Sequence, residues 1–259
     1  DTKVAAATAK VTINDANTTA VTASELSAIG GATSGTVTAS GALAITGSHT
    51  ELTAALVTSG TKIVAGLTGT TATVNNALTA ATAATLAGVS NITAIFGSGV
   101  TDEIGNLTDS DNTISSNVTT LTTEDADVAI TVDDSSGTVD ARKLSALGTS
   151  TTGTVTVSNA LAITGTQAQV TAALVTAETK VTAASAVVTI SDANTVTLTA
   201  ANLSAIGNTT TGAVTVSEAV TITGTQAQMT AALVTEETKV AAATAKVTIS
   251  DANTATLTA

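Results

Sequence analysis

The sequence predicts a mainly β fold: a parallel β-solenoid (β-helix) with short helical segments, two coils to each 59-residue repeat. Three observations predict it. The chain resembles itself at a fixed period, which is the signature of a stacked repeat architecture. Within a period, β-branched apolar residues alternate with hydroxyl residues, the strand signal. The composition suits a narrow interior: of 259 residues Thr supplies 61 and Ala 52, with one Phe and no Trp, Tyr, Pro or Cys. An ordinary core is filled with rings and large aliphatic groups.

The period is read without gaps. Residues 163–179 are ITGTQAQVTAALVTAET, residues 222–238 are ITGTQAQMTAALVTEET, and residues 45–61 are ITGSHTELTAALVTSGT. Lys3–Thr18, KVAAATAKVTINDANT, returns as Lys239–Thr254, KVAAATAKVTISDANT. The expected organisation is one continuous array, with repeats at 3–61, 62–120, 121–179 and 180–238 and the start of a fifth at 239–259. Both ends cut through a repeat without a capping segment. The expectation is a piece of a longer array or a subunit joined end to end. Two halves start at Val188-Thr-Ile-Ser-Asp-Ala and Val214-Thr-Val-Ser-Glu-Ala, and the next at Val247-Thr-Ile-Ser-Asp-Ala, at spacings of 26 and 33. Three coils of about 20 residues are the rival division.

Each half reads strand, turn, strand, helical turn. Val188–Ser191 and Val196–Thr199 alternate, with Val and Ile inward and Thr and Ser outward. Asp192-Ala193-Asn194 is turn chemistry, and Asp15, Asp133 and Asp251 hold the equivalent place. Asn202–Gly207 matches Glu25–Gly30 and Lys143–Gly148 as a short helix closed by a left-handed glycine. The other half has a longer candidate, with capping-box spacing at Thr166…Gln169, Thr225…Gln228 and Ser48…Glu51. Stacking at about 4.8 Å would pair each strand with its counterpart in the next coil. The second copy drifts: Ala77–Ala94 are Ala-rich, and Phe96 is expected to fill a cavity there, an inter-subunit anchor being the alternative.

Charge and composition exclude several function classes. The net charge is −12, which argues against nucleic acid or an anionic membrane surface as partner. No apolar run is long enough to span a bilayer. The absence of Cys removes disulfides, thiolate zinc and a Cys nucleophile. His49 is the only His, so a triad or histidine metal site is not expected, and His49 itself reads as an exposed loop residue. No usable GxSxG, GxGxxG or GxxxxGK[ST] motif occurs, and no enzyme is expected.

Ten of the 20 acidic residues lie between Asp102 and Asp140, and no Lys or Arg occurs from Val64 to Ala141. Clustered oxygen ligands suit Ca²⁺. Asp109 and Asp111, in Thr108-Asp-Ser-Asp-Asn112, are the candidate calcium ligands, although neither EF-hand spacing nor a GGxGxD repeat is present. The plainer expectation is a solvated acidic face. Thr197, Thr199, Thr221 and Thr223 would form outward hydroxyl–methyl ranks of the kind used by ice-binding solenoids, though Ser191, Ser217 and Ser250 interrupt them. Asn-x-Ser/Thr sites at Asn17, Asn91, Asn106, Asn117, Asn202 and Asn208 are expected by chance in so Thr-rich a chain.

The modules VTISDANTVTLTAANLSAIG and GAVTVSEAVTITGTQAQMTAALV resemble repeats of very large secreted or cell-surface proteins of bacteria, especially marine cyanobacteria. The resemblance covers nearly all of the chain, more weakly over residues 62–135. It implies an extracellular array serving as a filament, surface layer or stalk. The expected function is therefore structural, with end-to-end self-association. A calcium-stabilised adhesin, with a cell-surface polysaccharide as partner, is the alternative, and ice binding a lesser one.

Overall fold

The computed structural model describes residues 7–15, 19–61, 63–64, 69–178, 181–238 and 240–251. Among them, eighteen short strands and nine helices follow one another in chain order. The first part runs β1 (Val11–Ile13), β2 (Thr19–Thr22), α1 (Ala23–Gly31), β3 (Val37–Ala39), β4 (Leu43–Gly47), α2 (His49–Leu56), β5 (Thr70–Val74), α3 (Ala80–Ala87), β6 (Ile92–Ile95) and β7 (Val100–Asp102). The middle runs α4 (Ile104–Leu107), α5 (Ser116–Glu124), β8 (Ile130–Val132), β9 (Thr138–Asp140), α6 (Ala141–Ser150), β10 (Val155–Val157), β11 (Ala162–Gly165) and α7 (Gln167–Leu174). The last part runs β12 (Val181–Thr182), β13 (Val187–Ile190), β14 (Thr197–Thr199), α8 (Ala200–Gly207), β15 (Val214–Val216), β16 (Thr221–Gly224), α9 (Gln226–Leu233), β17 (Val240–Ala241) and β18 (Lys246–Ile249).

The chain divides into two compact units. Unit 1 holds residues 1–102 and 115–130, and unit 2 holds 103–114 and 131–259. In unit 1 the sheets are β1-β3 and β2-β4-β5-β6. In unit 2 they are β9-β11-β13-β15-β17 and β14-β16-β18, with β10 paired to β12. Every strand pair within them is parallel, so a helix or loop carries the chain back between rungs.

The fold class is thus α/β with all-parallel sheets of two to five strands, and the expected mainly β, two-coil solenoid is corrected. Helical residues slightly outnumber strand residues among the described ones. The reason is local. Eight-residue helices are marginal alone, but here each is capped and anchored. In α2, Ser48 and Glu51 form a full capping box, and Leu52, Ala55 and Leu56 are buried at helical spacing. Thr166/Gln169 and Thr225/Gln228 repeat the box at α7 and α9. Thr22/Glu25 does so at α1.

The spacing of 33 also fails, for an instructive reason. First strands pair with first strands: Val188 faces Val214, and Val214 faces Val240. Second strands pair likewise: Leu198 faces Ile222. Val247, the next expected start, instead faces Ile222. One period earlier, Val188 faces both Ile163 and Val214. A Val-Thr-Ile strand therefore closes one ladder and opens the next. In unit 2 the ladder is handed on at β13 in this way. β5 does the same in unit 1, with β4 on one side and β6 on the other. The extra rung is β12 or β17, only two residues long, too short to show a period of two in sequence.

The core is aliphatic, as expected. Ile45, Leu52, Leu144, Leu147, Ile163, Val188, Ile190 and Leu203 are all fully buried. Phe96 is buried too, which fits the cavity-filling reading. The glycines expected to close helices through left-handed geometry do not have it: positive φ occurs only at Gly69, Gly99 and Gly137 among the described glycines. Gly207 ends α8, Gly30 lies one residue before the end of α1, and Gly148 lies inside α6. At Gly30 the requirement is space, because a Cβ there would run into the Thr61 carbonyl.

Candidate functional site

Two kinds of lock join successive layers, and both sit at helix N-termini. At the second helix of a period, an Asp or Asn from the following layer accepts the first helical N–H. Gln167 N–H donates to Asp192 Oδ2 at 2.6 Å, Gln226 N–H to Asp251 Oδ2 at 2.6 Å, and His49 N–H to Asn76 Oδ1 at 2.8 Å. Asp192 and Asp251 were expected in turns, and the turn does place them, but their carboxylates serve the neighbouring helix rather than their own loop. Such an anion also complements the positive end of the helix dipole. At the first helix of a period the lock is steric. Ala23, Ala141 and Ala200 lie against Gly47, Gly165 and Gly224, where a Cβ would touch the alanine methyl. Gln167 adds a third bond set, with Nε2–H donating to Thr199 O and Thr199 N–H donating to Oε1.

Half of the acidic stretch is built into the fold, while Glu103, Asp109, Asp111, Asp127 and Asp133 are exposed. Ala80 N–H donates to buried Asp102, Ala94 N–H to Glu124, Phe96 N–H to Asp125 and Ile104 N–H to Asp134. Asp140 caps α6 through Arg142 N–H and pairs with the Arg142 guanidinium, whose side-chain hydrogen bonds hold the carboxyl below its usual range. Burial pushes the Asp125 carboxyl up, the Phe96 N–H opposes this, and neighbouring Asp127 adds to the rise.

Asp109 and Asp111 are exposed and lie in a tight turn between Thr108 and Ile114, which bridge each other antiparallel. The turn is closed at backbone level: Asp109 N–H donates to Thr113 O, and Asn112 N–H to Asp109 O. Asp111 Oδ1 accepts from Thr113 Oγ1–H at 2.7 Å and from Thr113 N–H, which holds that carboxyl low. Among the described residues no three His, Cys, Asp or Glu side chains converge as a metal site would require. No described helix is long and apolar enough to cross a membrane.

His49 is not in an exposed loop. It is the first residue of α2, half-buried, with Nδ1 2.8 Å from Asn76 Nδ2. The threonine ranks exist but are short: Thr22, Thr46 and Thr73 end at Ile95, and Thr197 and Thr221 end at Lys246. Of the Asn-x-Ser/Thr sites, Asn17 lies outside the described residues, and Asn91 has a positive φ.

β13 and β18 differ in burial. Val188 and Ile190 in β13 are 0% exposed, whereas their repeat counterparts Val247 and Ile249 are 47% and 44% exposed. β13 has a strand on each side, and β18 is paired to β16. Sequence reading missed this asymmetry because the two strands are nearly identical in composition. No family model, characterised protein or solved structure matches the chain.

Proposed function

We propose that the chain is a structural repeat protein of the bacterial cell surface or extracellular space, whose parallel ladders continue from repeat to repeat into a filament, surface layer or stalk. One observation supports the reading: the ladder is parallel from one repeat layer to the next, with Val188 facing both Ile163 and Val214. The interlayer locks support it too, since each helix N-terminus of the second kind is completed by the layer that follows. The likeness to repeats of giant secreted bacterial proteins supports the location.

The test is sedimentation and electron microscopy of the full chain across concentration. End-to-end oligomers are expected for the native sequence. Monomers at every concentration for the native chain overturn the reading.

A further inference from the structure

Three layers are locked at the same place, and one of the three locks is chemically different. The acceptor of the first helical N–H stands two residues after the strand residue that pairs with a glycine. Asp192 follows Ile190, which pairs with Gly165; Asp251 follows Ile249, on Gly224; and Asn76 follows Val74, on Gly47. The donors are Gln167, Gln226 and His49. Where the helix opens on Gln, the acceptor is a carboxylate. Where α2 opens on His49, the one imidazole of the chain, the acceptor is an amide.

The amide and the ring fix each other's state. Asn76 Oδ1 accepts His49 N–H at 2.8 Å, and Asn76 Nδ2–H donates to Ala77 O at 3.0 Å. Turning the amide over would set its NH2 group against the His49 N–H and its oxygen against the Ala77 carbonyl. Two backbone contacts therefore determine its orientation. Asn76 Nδ2 also lies 2.8 Å from His49 Nδ1. An amide nitrogen only donates, so Nδ1 has to accept. That requires the neutral ring with its proton on Nε2, which is 3.3 Å from Thr50 Oγ1. A protonated ring carries N–H on both nitrogens, and its Nδ1–H would point at the Asn76 N–H. The positive end of the α2 dipole opposes the same charge. α2 packs against α1, α3, β4 and β5. Of these, α3, β4 and β5 hold no titratable side chain. Glu25 of α1 and Glu51 of α2 are each engaged in their own capping box, with Thr22 and Ser48.

We propose that His49 and Asn76 form a proton-sensitive joint between α2 and the β5–α3 layer, closed with a neutral ring and released when the imidazole takes up a proton. Imidazole is the side chain whose charge ordinarily changes between about pH 5 and 8, so the joint answers to mild acid. Release leaves the first N–H of α2 without its acceptor and frees the Asn76 turn. The locks at Asp192 and Asp251 contain no imidazole, so the response belongs to one layer. The joint works within a single chain, whether or not chains assemble.

The test follows amide exchange in the full chain at pH 7.5 and 5.0, corrected for the intrinsic pH dependence of exchange, with Gln167 N–H as the internal reference. Nitrogen chemical shifts read the ring. At pH 7.5 the Nε2–H tautomer is expected. On acidification His49 N–H should lose about tenfold in protection relative to Gln167 N–H, the scale of one hydrogen bond. His49→Gln gives α2 the opening residue of α7 and α9, and should abolish that loss. Asn76→Asp should invert it, because a carboxylate accepts both the backbone N–H and a protonated ring, so that protection rises in acid. An Nδ1–H tautomer at pH 7.5, no loss in the native chain, or the same loss in His49→Gln overturns the proposal.

Discussion

β13 and β18 carry the same Val-Thr-Ile core one period apart, yet they live in different surroundings. β13 is flanked by β11 and β15, and its Val188 and Ile190 are sealed. β18 is seated on β16, and its Val247 and Ile249 face water. The difference teaches that burial here belongs to the neighbour, not to the strand. The hydrophobic free energy of a rung, about 25 cal/mol per Å² of apolar surface, is realised only when the next rung arrives.

The largest effect should separate these two strands. Ile190→Ala is expected to destabilise the chain by about 2–5 kcal/mol, the cost of a core truncation. Ile249→Ala should cost well under half of that, because its side chain is already partly hydrated. Urea titration of the two variants measures the contrast, and equal losses would break it.

Next comes the layer lock. Asp192→Ala strands the buried Gln167 N–H and should cost about 1–3 kcal/mol, whereas Asp192→Asn keeps an acceptor and should cost less. The half-buried Asp251 performs the same task for Gln226 nearer the edge, so Asp251→Ala should cost less than Asp192→Ala. Thermal denaturation of the three variants orders them.

A smaller gain is expected at Thr195. It holds φ at 71°, a region that disfavours a β-branched residue. Thr195→Gly should raise stability by about 1 kcal/mol, the lower end of the strain released, and a fall in Tm would show that its neighbours hold the turn without strain.

Asp125 gives a pH signature. Its folded carboxyl is raised, chiefly by burial, so its favourable contribution is present below the ordinary carboxylate range and is lost as pH rises through the folded value. Asp125→Asn keeps an acceptor for Phe96 N–H and removes the desolvated charge. It should raise Tm at pH 7, and the gain should vanish in acid. Smallest of all is chelation. Asp111 is already engaged by Thr113 and no described metal cluster exists, so EDTA should leave Tm unchanged.

Much of the half-unit was legible in the sequence. The capping boxes at Ser48, Thr166 and Thr225 form as their spacing implies, and Val188 and Ile190 point inward as alternation implies. The balance of helix and strand was not, because Ala-rich octets gain their stability from caps and from locks supplied about 25 residues later in the chain. Gly30 reads as a conformational glycine, but there the structure requires clearance from a facing carbonyl, which no local pattern reveals, and Gly212 shares that requirement. Asp102, Glu124, Asp125, Asp134 and Asp140 read as part of a charged face because sequence cannot show which backbone N–H a carboxylate will meet.

The handing on of the ladder at β13 is tested most directly by cross-strand nuclear Overhauser contacts in the full chain. The account predicts that Val188 shows contacts to both Ile163 and Val214, and that Val247 shows contacts to Ile222. Contacts between Val214 and Val247, or a single strand partner for Val188, would contradict it.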